Sequence, residues 1–264
     1  MKHANLSAYE GVESLTRFNE EEFKHYCDDK LASVDKHISF IKKHVIHPDY
    51  QGRVVEIGSG SGKLLFRLEQ EGLLENGIGY KVSQSRCQFS EKFKDYINSK
   101  KVTIVNEDFL EADTVQNSGV DLIIGIDIVI NLIAAQSVDA LSKCISLAQR
   151  HITQGLLVLE FQTFERELQF ARNSSDGVYR TWRQFQKSDP FAYGLDEISE
   201  LDKKINWKKY FIPKSCKRHH EYFEHDLKVL EKNYFPQRGF SIHDRWMEND
   251  DTADQEFVAL KKIG

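Results

Sequence analysis

A carboxylate followed by glycines at every second position is the pattern best suited to chemistry in this 264-residue chain. A short apolar run around Glu56 leads directly into Gly58, Gly60 and Gly62. Glycines let a backbone approach a ligand closely, because a side chain at the same position would keep the two apart. An amphipathic pattern begins at once after Gly62. The segment therefore predicts a strand, a tight turn and a helix, which is the layout of a nucleotide pocket.

The spacing of these glycines separates three kinds of pocket. A dinucleotide fingerprint requires G-x-G-x-x-G, but the third glycine comes one residue early here and Lys63 stands in its place. A phosphate-binding P-loop requires G-x-x-x-x-G-K-[ST], and this chain has Ile57 at the first position and Leu64 at the last. The pattern that remains is E-x-G-x-G-x-G. A glycine-rich turn without a ligand is the alternative interpretation.

The composition indicates an ordered globular protein, with 40% hydrophobic residues and a net charge of −5. No overall field would attract nucleic acid or an anionic membrane. The four cysteines are far apart, which predicts reduced thiols in a cytoplasmic protein and no metal site. The first residues lack the apolar core of a signal peptide, and no apolar window is long enough to span a bilayer. The oligomeric state stays open, with a homodimer as one option.

The elements around the glycines predict an α/β fold. Apolar residues three or four apart predict one long amphipathic helix that starts after Asn19 and ends before Pro48. Helices are also predicted at about 63–70, from Ser83 onward and at 130–151. Five strands are predicted at about 53–57, 77–82, 102–106, 121–126 and 155–161. This alternation is typical of a Rossmann-like, doubly wound and mostly parallel sheet.

The alternation of strands and helices stops after the fifth strand. An insert follows, with a helical piece, an aromatic loop and two strands near 203–212 and 215–222. A helix at 224–234 and strands at 239–246 and 256–263 complete the chain, and the acidic segment 247–255 is predicted to be a solvated hairpin loop. Four parts are thus predicted: an N-terminal helical cap at 1–49, a core at 50–162, an insert at 163–220 and a completion of the core sheet at 221–264.

The glycine pattern and the strand order resemble the class I S-adenosylmethionine (SAM)-dependent methyltransferases, of the type that acts on small molecules. The resemblance implies SAM as cofactor and transfer of a methyl group to an oxygen or nitrogen atom. It also implies an antiparallel last strand that inserts between two others. In this family the acidic residue and the glycine loop hold the amino-acid end of SAM. That role falls here to Glu56, Gly58, Ser59, Gly60 and Gly62.

The second strand departs from the family pattern at one residue. Gly79-Tyr80-Lys81-Val82-Ser83 is similar to the family's G-x-[DE]-x-S, whose carboxylate accepts hydrogen bonds from the ribose hydroxyls. Lysine carries donors only, so Lys81 beside Val82 cannot accept those bonds. Another residue then holds the ribose, the lysine swings away, or the cofactor binds differently. A lysine that simply points to solvent is the further alternative.

The resemblance implies roles at three other places. Asp108 and Phe109 follow the third strand, where the family often has an aspartate for the adenine amino group and an apolar neighbour for the ring. Asp127 ends a segment similar to the fourth motif, whose strand end faces the transferred methyl group. Tyr9 and Arg17 precede the first helix and, by family habit, close over the SAM carboxylate.

The reacting centre is expected beyond the carboxyl ends of the strands, where open sheets bind their ligands. That topology places Asp127 there as the catalytic base, with Asn131 and Gln162 near the methyl acceptor. Asp127 could instead cap the helix that follows it. His225 and His243 are alternative bases, although a lone histidine more often has a structural role.

Aromatic and basic residues of the insert leave several functions open. Trp182 and Tyr193 belong to an aromatic group that forms either a lid over the substrate or a small core of its own. Residues 203–220 hold seven lysines and arginines with interleaved aromatics and no acid, which suits single-stranded nucleic acid as well as solvated strands. An RNA methyltransferase is therefore one rival function. A methyltransferase-like scaffold without activity is another, and an enzyme of the same fold with different chemistry is a third.

Overall fold

The computed structural model describes residues 15–112, 119–126, 128, 138–162, 192–193, 212–213, 235–250 and 253–263. Seven strands form one sheet: β1 (Arg53–Ile57), β2 (Asn76–Lys81), β3 (Val102–Asn106), β4 (Val120–Gly125), β5 (Ile152–Gln162), β8 (Phe240–Asp250) and β9 (Ala253–Lys262). Two short strands, β6 (Ala192–Tyr193) and β7 (Ile212–Pro213), form a separate antiparallel pair.

The main sheet is doubly wound, in the order β3-β2-β1-β4-β5-β9-β8. The first five strands pair in parallel, whereas β9 is antiparallel to both β5 and β8. The prediction of an antiparallel last strand inserted between two others is confirmed. Because the strand order reverses between β1 and β4, the carboxyl ends of these two strands form the switch point at which open sheets bind ligands.

Five α-helices accompany the sheet in the described residues: α1 (Glu20–Ala32), α2 (Asp35–His44), α3 (Lys63–Gln70), α4 (Gln84–Tyr96) and α5 (Val138–His151). The bounds of α3 agree with the prediction, and α4 begins after Ser83, whose side chain accepts a hydrogen bond from the Arg86 N–H. None of these helices combines the length and apolarity needed to cross a bilayer.

The prediction of one long N-terminal helix is wrong, because the chain turns at Ser33 and Val34 between α1 and α2. Ser33 Oγ donates to the Lys30 carbonyl at 2.7 Å, and the Val34 N–H bonds to the Leu31 carbonyl instead of continuing the α pattern. Val34 nevertheless stays fully buried, so the apolar stripe passes through the turn without interruption. Periodicity therefore identified the buried face and missed the break.

The core lies on both faces of the sheet, since neighbouring residues of a strand point to opposite sides. Val54 packs with α1 to α4, whereas Val55 packs with α5 on the other face. β4 repeats this alternation with Leu122 and Ile123. The sheet is thus covered by helices on both sides, which explains why β4 is nearly all apolar.

The C-terminal hairpin is longer than predicted. β8 and β9 pair from Phe240 with Lys262 to Asp250 with Ala253. Most of the acidic segment 247–255 is therefore strand, and the prediction of a solvated loop across it is wrong. Charged side chains do not prevent pairing here, since backbone groups make the ladder and β8 lies at the edge of the sheet.

Candidate cofactor-binding site

The glycine loop joins β1 to α3 at the switch point of the sheet. Gly58, Gly60 and Gly62 all have positive φ angles, of 69°, 52° and 81°. The loop is tied to the next strand by the Ser59 N–H, which donates to the Tyr80 carbonyl at 3.0 Å. It is closed by the Gly62 N–H, which donates to the Ser59 carbonyl at 2.7 Å. The strand, tight turn and helix predicted for this segment are all present.

Two of the glycines serve different purposes. A Cβ atom on Gly62 would lie 2.9 Å from the Phe66 ring and 3.1 Å from Ile104, so this glycine permits close packing inside the protein. Within the described part of the chain, a Cβ atom on Gly60 would meet nothing nearer than Arg86 Nη1, at 4.0 Å. Unlike Gly62, Gly60 therefore borders space that no described residue fills. A side chain there would project into room that a ligand can use.

Glu56 is a buried carboxyl group with an unsatisfied oxygen. Its side chain lies at the end of β1, and Glu56 Oε2 has no hydrogen-bond partner among the described residues. Ser59 Oγ, equally buried, also has none. Burial raises the pKa of Glu56 to about 8, against the opposing effect of Lys63 and Lys81. Unpaired buried polar atoms are rare in proteins, so both atoms indicate a place for a polar ligand.

Lys81 does not point to solvent. It ends β2, is 6% exposed, and its Nζ donates to the Gly60 carbonyl at 2.6 Å and the Arg86 carbonyl at 2.9 Å, with a third short contact to Ser90 Oγ. The register pairs Glu56 with Gly79, so Glu56 and Lys81 project from the same face of the sheet. The solvent-facing alternative is wrong. Of the four alternatives given for Lys81 in the sequence analysis, the one in which its side chain swings away describes this geometry.

Sequence reasoning missed Arg86 and Ser90, which lie beside the loop in the first turns of α4. Ser90 is fully buried on the face that carries Cys87, Phe89 and Phe93. A serine on an otherwise apolar helix face is a signal that could have been used. It indicates a buried polar partner, and that partner is Lys81.

Asp108 and Phe109 follow β3, next to the other end of the predicted pocket. Asp108 Oδ1 accepts a hydrogen bond from the Leu110 N–H at 3.0 Å, which fixes the turn and the orientation of the carboxylate. Phe109 is buried and packs edge-on against Tyr80, with 5.5 Å between the ring centroids. Val82 is half-buried directly after Lys81. The roles of these residues toward adenine and ribose stay predictions.

Two other predicted residues lie at the periphery of the described structure. Arg17 ends a 3₁₀ helix (Leu15–Arg17) that packs against α4, and its side chain is exposed. His243 is exposed on β8, the edge strand, four strands away from β1. At about 4.8 Å per strand, that separation is roughly 19 Å across the sheet. The structure therefore does not bring His243 to the glycine loop.

Several predictions concern residues whose side chains the structure leaves undescribed. Gln162 ends β5 and Tyr193 lies in β6, where only the strand assignments are described. Tyr9, Asp127, Asn131, Trp182 and His225 lie outside the described residues, as does most of the basic segment 203–220. Ile128 is described, and its Cδ1 lies 2.8 Å from the position of a Cβ on Gly58. The chain next to Asp127 thus passes beside the glycine loop.

Comparison with known proteins identifies the fold. No protein-family model and no curated protein sequence matches the chain. Solved structures do match: the methyltransferase domain of bacterial CtHen1-C has 14% identity and a TM-score of 0.53, covering 89% of this chain and 98% of its own. Magnesium protoporphyrin IX methyltransferase (ChlM) from Synechocystis PCC 6803, solved with bound SAH, has 15% identity and a TM-score of 0.52, covering 88% and 83%.

A SAM-dependent methyltransferase from Clostridium acetobutylicum ATCC 824 has 12% identity and a TM-score of 0.51, covering 92% of this chain and 99% of its own. The chain has the class I SAM-dependent methyltransferase fold. The methyltransferase fold accounts for the strand order and for the glycine loop at its switch point. Structures of this fold with bound SAM and SAH agree with the predicted cofactor.

The site fits SAM at one end and departs from the family at the other. The open space at Gly60 and the unpaired oxygens of Glu56 and Ser59 suit the polar amino-acid end of SAM. The ribose end differs, because the ammonium group of Lys81 is held by backbone carbonyls and Ser90. Lys81 therefore does not replace the family carboxylate.

Proposed function

We propose that the protein is a SAM-dependent methyltransferase that moves a methyl group to an oxygen or nitrogen atom of a small molecule by in-line displacement. One observation carries the proposal: at the switch point, the buried carboxyl oxygen Glu56 Oε2 has no hydrogen-bond partner among the residues that the structure describes. A polar ligand that enters the loop would satisfy this oxygen. The amino-acid end of SAM has the ammonium and carboxylate groups that such a site can take up.

The residues would divide the work of binding and positioning. Glu56, Gly58, Ser59, Gly60 and Gly62 would hold the amino-acid end of the cofactor, with Asp108 toward its adenine. When bound, SAM supplies a methyl group activated by a positively charged sulfur, so the protein mainly binds and orients the reactants. Asp127 is the proposed base for the acceptor proton, since Ile128 next to it packs beside Gly58.

A small-molecule acceptor is the favoured substrate class. The structural neighbour from Synechocystis is named for a small-molecule substrate, a magnesium porphyrin. The net charge of −5 gives this chain no overall attraction for nucleic acid. The wide separation of the four cysteines in the sequence supports the prediction of a reducing, cytoplasmic compartment.

Substitution of Gly60 tests the pocket. Gly60→Val should abolish detectable SAH binding by calorimetry, because the new side chain fills the space in front of the loop. The positive φ angle adds a stability cost on the order of 1–2 kcal/mol, which an ordinary domain survives. Gly62→Ala is the comparison for stability, because Gly62 also has a positive φ angle but packs against the interior. Its Cβ would press on Phe66 and Ile104, so it should lower the free energy of unfolding by about 1–3 kcal/mol.

Binding and activity measurements on the wild-type protein distinguish the enzyme from a scaffold subunit and from an RNA methyltransferase. Micromolar binding of SAM supports the enzyme, and no binding at millimolar SAM would favour a scaffold subunit. Incubation with SAM and candidate acceptors should then release SAH. If Gly60→Val keeps its affinity for SAH while remaining folded, the assignment of the pocket is wrong. Strongly salt-dependent binding of single-stranded RNA would instead favour the nucleic-acid alternative.

A further inference from the structure

The Lys81 cluster, defined as Lys81, Gly60, Arg86 and Ser90, joins the glycine loop to the first turns of α4. An ammonium group has three N–H donors and no acceptor. Here the three acceptors are the Gly60 carbonyl, the Arg86 carbonyl and Ser90 Oγ. Ser90 is itself oriented, because its hydroxyl donates to the Arg86 carbonyl at 2.9 Å. The cluster therefore connects residues of β2, the loop and α4 through one buried charge.

Burial holds the Lys81 ammonium group in this one hydrogen-bonded position. Lys81 is 6% exposed and Ser90 is fully buried, so the ammonium group has lost most of its contact with water. A buried charge is tolerated only when its hydrogen bonds are made. Rotation of the side chain away from the Gly60 carbonyl would break a hydrogen bond that is shielded from water. The Gly60 carbonyl is thus held toward the interior.

The direction of this carbonyl determines the direction of the next amide. The chain contains no cis peptide bond among its described residues, and a trans peptide unit is planar, with C=O and N–H on opposite sides. Because the Gly60 carbonyl points to Lys81, the Ser61 N–H points away from it. That N–H donates to no other described residue. It is a fixed donor on the side of the loop opposite to the Lys81 cluster.

We propose that Lys81 is a positioning residue, which presents the Ser61 N–H to the carboxylate of the cofactor's amino-acid end by holding the Gly60 carbonyl. This inference rests on the proposed function, since it needs a SAM-like ligand in the loop. It gives the lysine in the ribose position a different task. Lys81 prepares the loop for an anionic group and takes no part in contact with the ribose.

Calorimetry with two ligands tests the inference. SAH contains the amino-acid carboxylate, whereas 5′-methylthioadenosine contains the adenosine part and lacks it. Lys81→Met keeps most of the length of the side chain and removes all three donors. Its affinity for SAH should fall by about 10- to 100-fold, the usual range for a hydrogen bond to a charged group. Its affinity for 5′-methylthioadenosine should change by less than about 3-fold.

Two further variants make the result decisive. Lys101→Met is the matched control, because Lys101 Nζ also bonds to a backbone carbonyl, that of Leu74, but at the opposite end of the strands. It should leave both affinities unchanged. Ser90→Ala keeps the charge of Lys81 and two of its acceptors, so the affinity for SAH should fall by about 3- to 10-fold. This variant tests the inference if Lys81→Met does not fold.

The outcomes separate this inference from the proposed function. An equal loss of affinity for both ligands in Lys81→Met and Ser90→Ala would mean that the cluster only stabilises the loop, and it would overturn the inference. Unchanged SAH binding in both variants would overturn it too, while the proposed function would stand. If the wild-type protein binds neither ligand, the proposed function fails and the inference fails with it.

Discussion

Glu56 and Lys81 lie on one face of the sheet at the ends of adjacent strands, and the charge of Lys81 acts to lower the pKa of Glu56. Burial nevertheless dominates for Glu56, whose pKa rises to about 8. Most Glu56 side chains are therefore protonated at neutral pH, whereas the ammonium group of Lys81 donates to two carbonyl oxygens and one hydroxyl oxygen. A cationic ligand group placed beside Glu56 would favour its ionised form, so binding at pH 7 should release a proton.

Glu56 also gives the stability of the protein a specific pH dependence. Its pKa is about 8 in the folded state and 4.5 in the unfolded reference, so the folded state holds an extra proton between these values. The free energy of unfolding therefore falls as pH rises through this window, by up to about 1.4 kcal/mol per pH unit. Glu56→Gln removes this titration. Its stability relative to the wild type should rise between pH 5 and pH 9.

Urea denaturation at pH 5, 7 and 9 measures this effect. Glu75→Gln is the control, because Glu75 is exposed at the amino-terminal end of β2 and its side chain forms an ion pair with Lys101 at the surface. It should follow the pH profile of the wild type. Parallel profiles for Glu56→Gln and the wild type would show that Glu56 is already ionised in the folded protein.

Among the elements, α1 has the most completely defined start. Asn19 Oδ1 accepts from the Glu22 N–H at 2.9 Å, and Glu22 Oε2 accepts from the Asn19 N–H at 2.9 Å, which is a capping box. Asn19→Ala should therefore lower the free energy of unfolding by about 1 kcal/mol, measured by urea denaturation. Glu22→Gln keeps both hydrogen bonds, so it should lower the free energy of unfolding by less than Asn19→Ala does. Equal stabilities for Asn19→Ala and the wild type would mean that α1 frays without consequence.

The elements that could be predicted from sequence are those with local signals. β1 and α3 were located correctly, because an apolar run, alternating glycines and a helical repeat follow one another within 53–70. The break at Ser33 was not predicted, since the apolar spacing continues through it into Val34. The extent of β8 and β9 was also missed. It depends on cross-strand pairing, such as Glu248 with Gln255, and pairing leaves no local pattern in an acidic segment.

In the candidate site, too, only the features with a local sequence pattern could be predicted. The glycine loop and Glu56 follow from one short pattern, and their geometry agrees with it. The contacts of Lys81 do not follow from a short pattern, because they join it to residues that are 9 and 21 positions away in the chain. The buried state of Glu56 likewise depends on packing around the loop. Long-range contacts of this kind decide the protonation and orientation of the site, and they become visible only in the folded chain.

At the scale of the whole molecule, the N-terminal helices are joined to the C-terminal hairpin by an aromatic cluster of Phe40, Trp246 and Phe257. Their ring centroids lie 5.2–5.7 Å apart. His44, one turn after Phe40, also contacts Asp244 on β8 through its Nδ1. The same core contains residues of α3 and β1, including Leu64 and Val54. The helices of residues 20–44 are therefore expected to unfold together with the sheet.

Substitution of Phe40 tests this coupling. Phe40→Ala should lower the free energy of unfolding by about 3–5 kcal/mol, since a side chain that is 3% exposed leaves a cavity between helix and hairpin. Scanning calorimetry should still give a single transition, at a lower temperature. Ile263→Ala, at an exposed position, should change the transition little. Two separate transitions in Phe40→Ala would show that the N-terminal helices form an independent unit.

The insertion of β9 between β5 and β8 has a consequence for the protein during its synthesis. β5 pairs with β4 on one side, and its other side stays open until residues 253–262 have been translated. At usual rates of elongation this interval is on the order of ten seconds. Throughout it, the ribosome carries a chain with an unpaired strand whose Leu157, Val158 and Leu159 are destined for full burial. Such an edge attracts other strands, so we expect the nascent chain to be prone to aggregation until β9 has paired with β5.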